Sequence, residues 1–360
     1  MRANAAWVVL SLLAMAAVAE AANYDGVGLE IAGPVTETNT RIGCYPNTVP
    51  VTDLTITGSG SLATTALSIA DGGASSQDGS NGTLTVVGGL SATGAGNSIN
   101  IGANGGTGTL VITGGTVSLA TNYFNMASGQ YIDAVGTLIV NSGSLTVGTN
   151  TSNAAIFGGN VGTGSRAHTA TAYQYGGAVD FNGYVFLGQA AGCSGTYTIS
   201  GGSFEAANLY LGAYSAAAGP GRFNVNGSGA TSVTIGNLLK MYSTSTLGFT
   251  VDASGVDQIV AGSATLAGTI DMDLAHGFTP YDGQVFTLLT ITGTQAMTGF
   301  STSLLKSGDE YIPGVQSGWT LEKPSTTLLQ ARYNVVPEPA TMALLGLGLV
   351  GLAARRRRQR

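Results

Sequence analysis

Charge is scarce in this 360-residue chain. Lys and Arg number 13, Asp and Glu 19, and together they make 9% of the residues, against about 25% in an ordinary soluble domain. Between the two ends only seven basic residues occur: Arg41, Arg166, Arg222, Lys240, Lys306, Lys323 and Arg332. They are scattered, so they cannot build the basic face that a nucleic-acid partner needs for its phosphates. His168 and His276 are the only histidines; the first has no acidic partner nearby in sequence and the second precedes Gly277 in a turn context, so a His-based nucleophilic triad is not credible. Nine prolines without a Gly-X-Y period exclude a collagen helix. Export would permit a disulfide between the two cysteines, Cys44 and Cys193. On a coiled rod, however, they would stand roughly 20 Å apart by coil spacing, beyond the about 7 Å that a bridge spans. Two separate thiols are therefore expected, unless the N-terminal segment folds back along the rod. What is present is apolar and small. Hydrophobic residues make 44% and the net charge is −6, which excludes plain disorder. Glycine fills 56 positions, roughly twice its usual share. A glycine-rich all-β protein with a nearly uncharged surface is the expectation.

The two ends read as signals. Arg2 is followed by an apolar run from Ala5 to Ala19 and by the small-x-small triplet Ala19-Glu20-Ala21. A positive start, an apolar run near fifteen residues and such a triplet make a secretory signal peptide over 1–21, with Ala19 and Ala21 marking the cleavage site. A spanning helix would need about 20 apolar residues. At the other end, Pro337-Glu338-Pro339 precedes the apolar run Met342 to Ala354 and then Arg355, Arg356, Arg357 and Arg358. The prolines hold the segment extended and delay any helix, and the arginines act as a basic stop on the cytoplasmic side of the inner membrane.

This tripartite end closely resembles the PEP-CTERM sorting signal of Gram-negative bacteria. The resemblance covers 335–360 and implies an exosortase-type processing enzyme as partner, a hydrophobic sorting helix transiently in the inner membrane, and delivery to the cell surface or extracellular matrix. It implies no activity.

A repeat fills the middle. The pattern is Gly-Thr, alternating apolar residues and a glycine pair. It starts at Thr52, Gly82, Gly108, Gly136, Ala170, Gly195 and Gly221, in steps averaging about 28 residues. The third position is apolar in every copy: Leu54, Leu84, Leu110, Leu138, Ala172, Tyr197 and Phe223. The fifth is apolar except at Gln174. Period two with threonine on the alternate positions predicts strands, apolar side in. A second short strand follows the glycine pair, and a third ends in glycine, as at Ile99–Gly102, Phe186–Gly188, Leu209–Gly212 and Val233–Gly236. Three strands per repeat with glycine corners predict a right-handed parallel β-helix solenoid of about seven coils over 52–237. An antiparallel β-sandwich is the competing architecture. The region 22–51 is expected to cap one end, and 238–334 to form a C-terminal β cap, because an open solenoid end exposes strand edges and core. The unequal step from Gly136 to Ala170 predicts a bulging loop around 150–169. The repeats, in their G-T-L-x-V fragments, resemble the autotransporter-associated β-strand repeats of surface passenger proteins.

Candidate chemistry is thin. The bland reading of His168 is a solvated loop. Asp271 and Asp273 share one face of a strand, where charge blocks edge pairing; Ca²⁺ binding or a hydrolytic carboxylate pair are the sharper readings. Thr83, Thr109, Thr137, Thr171 and Thr196 should align as a row on the outside of the rod. No catalytic or metal-binding residue is assigned and no cofactor is expected. Removing both signals leaves seven basic and 17 acidic residues, a weakly acidic rod. The expected function is a non-enzymatic surface or matrix protein in adhesion, biofilm or exopolysaccharide association, with a surface glycan as partner. The alternatives are a polysaccharide-active β-helix enzyme, which would need basic residues converging with carboxylates in one groove, and an ice- or glycan-binding surface.

Overall fold

The computed structural model describes residues 22–24, 28–44, 52–72, 80–93, 98–129, 133–159, 167–212, 219–227, 231–301, 305–307 and 316–336, with the single residues 344 and 347. The expected signal peptide with Ala19 and Ala21, the motif Pro337, Glu338 and Pro339, and the arginines Arg355 to Arg358 lie outside the described residues. No helix among the described residues is long and apolar enough to cross a membrane.

The chain is an all-β parallel solenoid. Each coil lays one strand on each of three faces, and each strand pairs in parallel with its equivalent one coil on. On the first face the third-position residues stack in register, Leu54 on Leu84, Leu110, Leu138, Ala172, Tyr197, Phe223, Leu247 and Ile270. The second face stacks Leu62, Leu90, Val117, Leu145, Val179 and Phe204. The third stacks Ile42, Ile69, Ile101, Met126, Phe157 and Leu187. These residues are all buried and form one continuous core, as the period-two pattern requires.

The corner after the third-face strand needs a left-handed backbone, which glycine adopts without strain. Gly102 has φ +63 and Gly158 φ +80; in two other coils Ala70 and Ala127 take the same conformation. At Gly158 a Cβ would run into the Ser194 carbonyl of the coil above, so close approach between coils adds to the conformational demand.

Three expectations change. Parallel stacking extends past both boundaries of 52–237, so there are more than seven coils. At the start, Leu29–Ile31, Pro34–Thr36 and Thr40–Ile42 pair with the following coil as ordinary members of the three ladders. Towards the other end the ladders run on through Thr246–Val251, Ile259–Thr265, Thr269–Leu274 and Leu305–Ser307. The cap proper is the antiparallel hairpin of Gln316–Ser325 with Leu328–Val336, whose second strand also pairs antiparallel with Val285–Ile291. There Trp319 packs edge-on against Phe286 and Tyr333, at 5.7 and 5.0 Å between ring centroids. Second, Val233–Gly236 belongs to the second face, since Val233 stacks on Phe204, and the third-face strand of that coil is the continuation Leu238 to Met241. Both segments alternate alike, so only stacking separates them. Third, the boundary at Asn237 falls inside one strand, Thr231–Met241.

Candidate functional site

The first face carries a regular outer surface. Thr83, Thr109, Thr137, Thr171 and Thr196 lie in one register row, as expected from the repeat. The neighbouring row runs Thr85, Val111, Ile139, Tyr173 and Thr198. Across Asn81–Val86, the first half of Thr107–Leu119, the first half of Val135–Val147, Thr169–Gln174 and Ser194–Ile199, no outward position is charged. The rows become charged on either side: Asp53 stands next to Thr83, and Arg222 next to Thr196.

Tyr173 and Tyr175 project from this face, 38% and 57% exposed. Their rings are nearly parallel, 6° between planes and 6.1 Å between centroids. Between them Gln174 points inward and is fully buried. Its Oε1 accepts the Tyr197 hydroxyl at 2.8 Å, and its Nε2 donates to the Ser203 carbonyl at 2.8 Å. Ala172, directly below Tyr197 in the ladder, is the small residue that leaves room for that ring. Burial pushes the Tyr197 phenol well above its usual range. The polar residue that broke the sequence pattern is therefore a satisfied core partner. The two tyrosines escaped sequence reasoning; the doublet at outward positions of that one copy was the available signal.

At the top of the face, Arg222 Nε donates to Asn224 Oδ1 at 2.7 Å and Nη2 to Asp271 Oδ2 at 2.8 Å. Gly248 lies between Asn224 and Asp271 in the ladder, and the guanidinium crosses the space it leaves, since a Cβ there would lie 3.4 Å from Nη2. Asp271 is only 7% exposed, which corrects the solvent-facing strand edge expected for it. Sequence spacing showed that Asp271 and Asp273 share a face but not that Arg222, two coils below, reaches one of them.

His168 is also corrected, from solvated loop to fully buried. Its Nδ1 accepts the Ala134 N–H at 3.1 Å and its Nε2 lies 3.1 Å from the Gly129 carbonyl. Acceptance at Nδ1 assigns the proton to Nε2, so the neutral ring ties two coils together. Cys193 and Cys44 are both buried free thiols, the separate pair expected from coil spacing. Burial pushes both thiols up.

Asp180 and Glu205 stand side by side on adjacent coils of the second face. Burial, and then the Glu205 charge, hold the Asp180 carboxyl above its ordinary value. Further along, a cavity of about 480 Å³ is lined by Thr231, Ser232, Ser254, Asp257, Gln258 and Thr287 among others; Asp257 Oδ2 accepts the Thr231 N–H at 3.2 Å. Arg222–Asp271 on the first face and Arg332–Glu322 on the closing hairpin form ion pairs.

Residues 335–358 match the family described as the PEP-CTERM protein-sorting motif. No curated protein matches the chain. The C-terminus thus carries a PEP-CTERM sorting motif, which marks exported proteins sorted to the outside by an exosortase-type system.

Proposed function

We propose that this is a non-enzymatic structural protein of the cell surface or extracellular matrix, acting in adhesion, biofilm or exopolysaccharide association after exosortase-type processing of its tail. The observation that carries this reading is the sorting motif at 335–358 on a chain whose described part is a long parallel rod with an uncharged face. A rod of stacked coils presents an extended binding surface, and fold alone implies no catalysis. The test is fractionation with mass spectrometry of the mature protein. The expected product is surface- or matrix-associated and lacks Arg355–Arg360. Secreted protein that retains those arginines would contradict tail processing, and full release into the medium with an unchanged matrix in a deletion strain would contradict the structural role.

A second reading, a polysaccharide-active enzyme, draws on the adjacent Asp180 and Glu205. Its test is a degradation screen: product release that disappears in Asp180→Asn establishes it and removes the non-enzymatic reading.

A further inference from the structure

We infer that the first face between Asn81 and Ile199 is a docking surface for a neutral polysaccharide chain, with Tyr173 and Tyr175 as its stacking platform. This rests on the reading above and adds to it the face, the residues and the ligand class.

The argument begins with charge. An anionic or cationic polymer would meet complementary charge on its docking surface, yet no outward position of this face carries any. The surroundings are not so bare: Asp53 and Arg222 bound the face along the rod, and Asp180 and Glu205 lie on the second face of the same coils. The neutral zone therefore has edges and a size. Next come the aromatics. Large side chains exposed on a strand need a reason when the rest of the row is threonine, valine and isoleucine. Tyr173 on the strand Thr169–Gln174 and Tyr175 just past its end hold their ring planes within 6° of each other, and both remain open to solvent. Parallel, exposed rings offer flat apolar faces to the C–H faces of sugar rings, while their hydroxyls stay wet. Hydroxyl donors and acceptors stand alongside. Thr171 and Thr196 are register neighbours in one row, and Tyr173 and Thr198 in the next. Asn224 Nδ2 donates to Thr198 Oγ1 at 3.1 Å, extending the hydroxyl row towards the charged edge.

Spacing completes the match. Successive coils repeat every ~4.8 Å, so hydroxyls recur at a regular interval along the rod, as they do along an extended glycan. Ice would ask for a flat threonine array. The second row offers Val111, Ile139 and Tyr173 instead, and the tyrosines stand out of the plane that an ice lattice would need to match.

The test is affinity electrophoresis of the mature, processed protein in gels containing cellulose derivatives, xylan or dextran as neutral probes, and alginate as the anionic one. The expected result is retardation by at least one neutral glycan and none by alginate. Tyr173→Thr with Tyr175→Ser places on this strand the residue types that follow one coil on, at Thr198 and Ser200, so the fold should persist with an unchanged unfolding midpoint. This double variant should bind roughly tenfold more weakly, the loss of an aromatic stacking contact. Tyr173→Phe with Tyr175→Phe should keep most of the binding, and Tyr123→Ala, at an exposed tyrosine of the third face, should keep all of it. Equal retardation of the wild type and the Thr/Ser variant would overturn the inference, as would preference for alginate or thermal hysteresis above buffer. Fractionation separates the two readings. Wild type that reaches the surface yet is retarded by no neutral glycan sinks the docking face and leaves the matrix role standing. A Thr/Ser variant that reaches the surface but is not retarded supports the docking face.

Discussion

The middle coils, from Asn81 to Ile199, and the end of the rod beyond Thr246 share the same parallel stacking but complete it by different means. In the middle, a coil meets near-copies of itself above and below. Register, a left-handed corner and a filled core suffice, and the outside of the first face dispenses with charge. The corner glycine is pressed against the next coil, as Gly158 is against Ser194. Towards the end, the neighbour on one side is lost. Gly277 has φ +81 but no atom within 4 Å of where a Cβ would stand. Ion pairs appear, and the last edge is taken by an antiparallel hairpin under Trp319. The difference teaches that a repeat solves the interior of a solenoid, while its terminus needs a separate solution for an exposed edge.

The comparison is most easily broken in the core. Phe157 touches Phe124, Phe181 and Tyr197 at centroid distances of 6.0 to 6.1 Å. Phe157→Ala should cost about 3–5 kcal/mol by urea unfolding. A cost below about 1 kcal/mol would show that the middle coils are not held by their aromatic stack.

The corners give the next effect. Gly158→Ala combines a strained φ with a collision against the Ser194 carbonyl, at about 3 kcal/mol together. Gly277→Ala carries the conformational term alone, about 1–2 kcal/mol. Equal midpoints for the two variants would remove the distinction between a coil-to-coil corner and a simple turn.

His168→Leu should strand the buried Ala134 N–H, at about 1–3 kcal/mol, and take a partner from the part-buried Gly129 carbonyl at a smaller cost. Hydrogen exchange should accelerate at Ala134 and stay unchanged in the closing hairpin.

The smallest effect is in pH, with opposite signs in the two regions. Hydrogen bonding to Arg332 holds the Glu322 carboxyl below its usual value. A depressed acid stabilises the fold above its unfolded-state value, and that contribution fades as pH falls through the folded one. Asp180 is raised, by burial first and then by Glu205. Its protonated form is the one the fold favours, so stability is lost as pH rises from the ordinary value of 3.8 towards the folded one. Acid should therefore loosen the hairpin and relieve the second face of the middle coils. Glu322→Gln should flatten the first trend and Asp180→Asn the second, read by exchange of each region between pH 3 and 6, roughly the carboxylate range.

Much of the interior was legible in the residues themselves. The third-position row from Leu54 to Phe223 stacks as the repeat indicated, and the threonine row stands beside it on the outside. Period two and a constant step carry that information, because each coil repeats the local geometry of the last. Other features were hidden for a common reason. His168 looked like loop because its partners, Ala134 and Gly129, are more than thirty residues away. Gln174 looked like a flaw because Tyr197 lies on the following coil. Asp271 looked solvent-facing because Arg222 reaches it across Gly248 from two coils below. Val233–Gly236 was placed on the wrong face because its alternation suits either.

By itself, the sequence determined the sorting signal, the all-β class, the repeat and which side of each strand faces in. These depend on neighbours within a few residues, or on recognition of a linear motif. The tertiary structure alone decided where the solenoid stops, that an antiparallel hairpin closes it, which polar residues are buried with partners, and that two tyrosines stand on a face cleared of charge. Each of those is set by contacts between coils, a distance of one strand spacing in space and about 25 residues or more along the chain, and no local pattern reports such contacts.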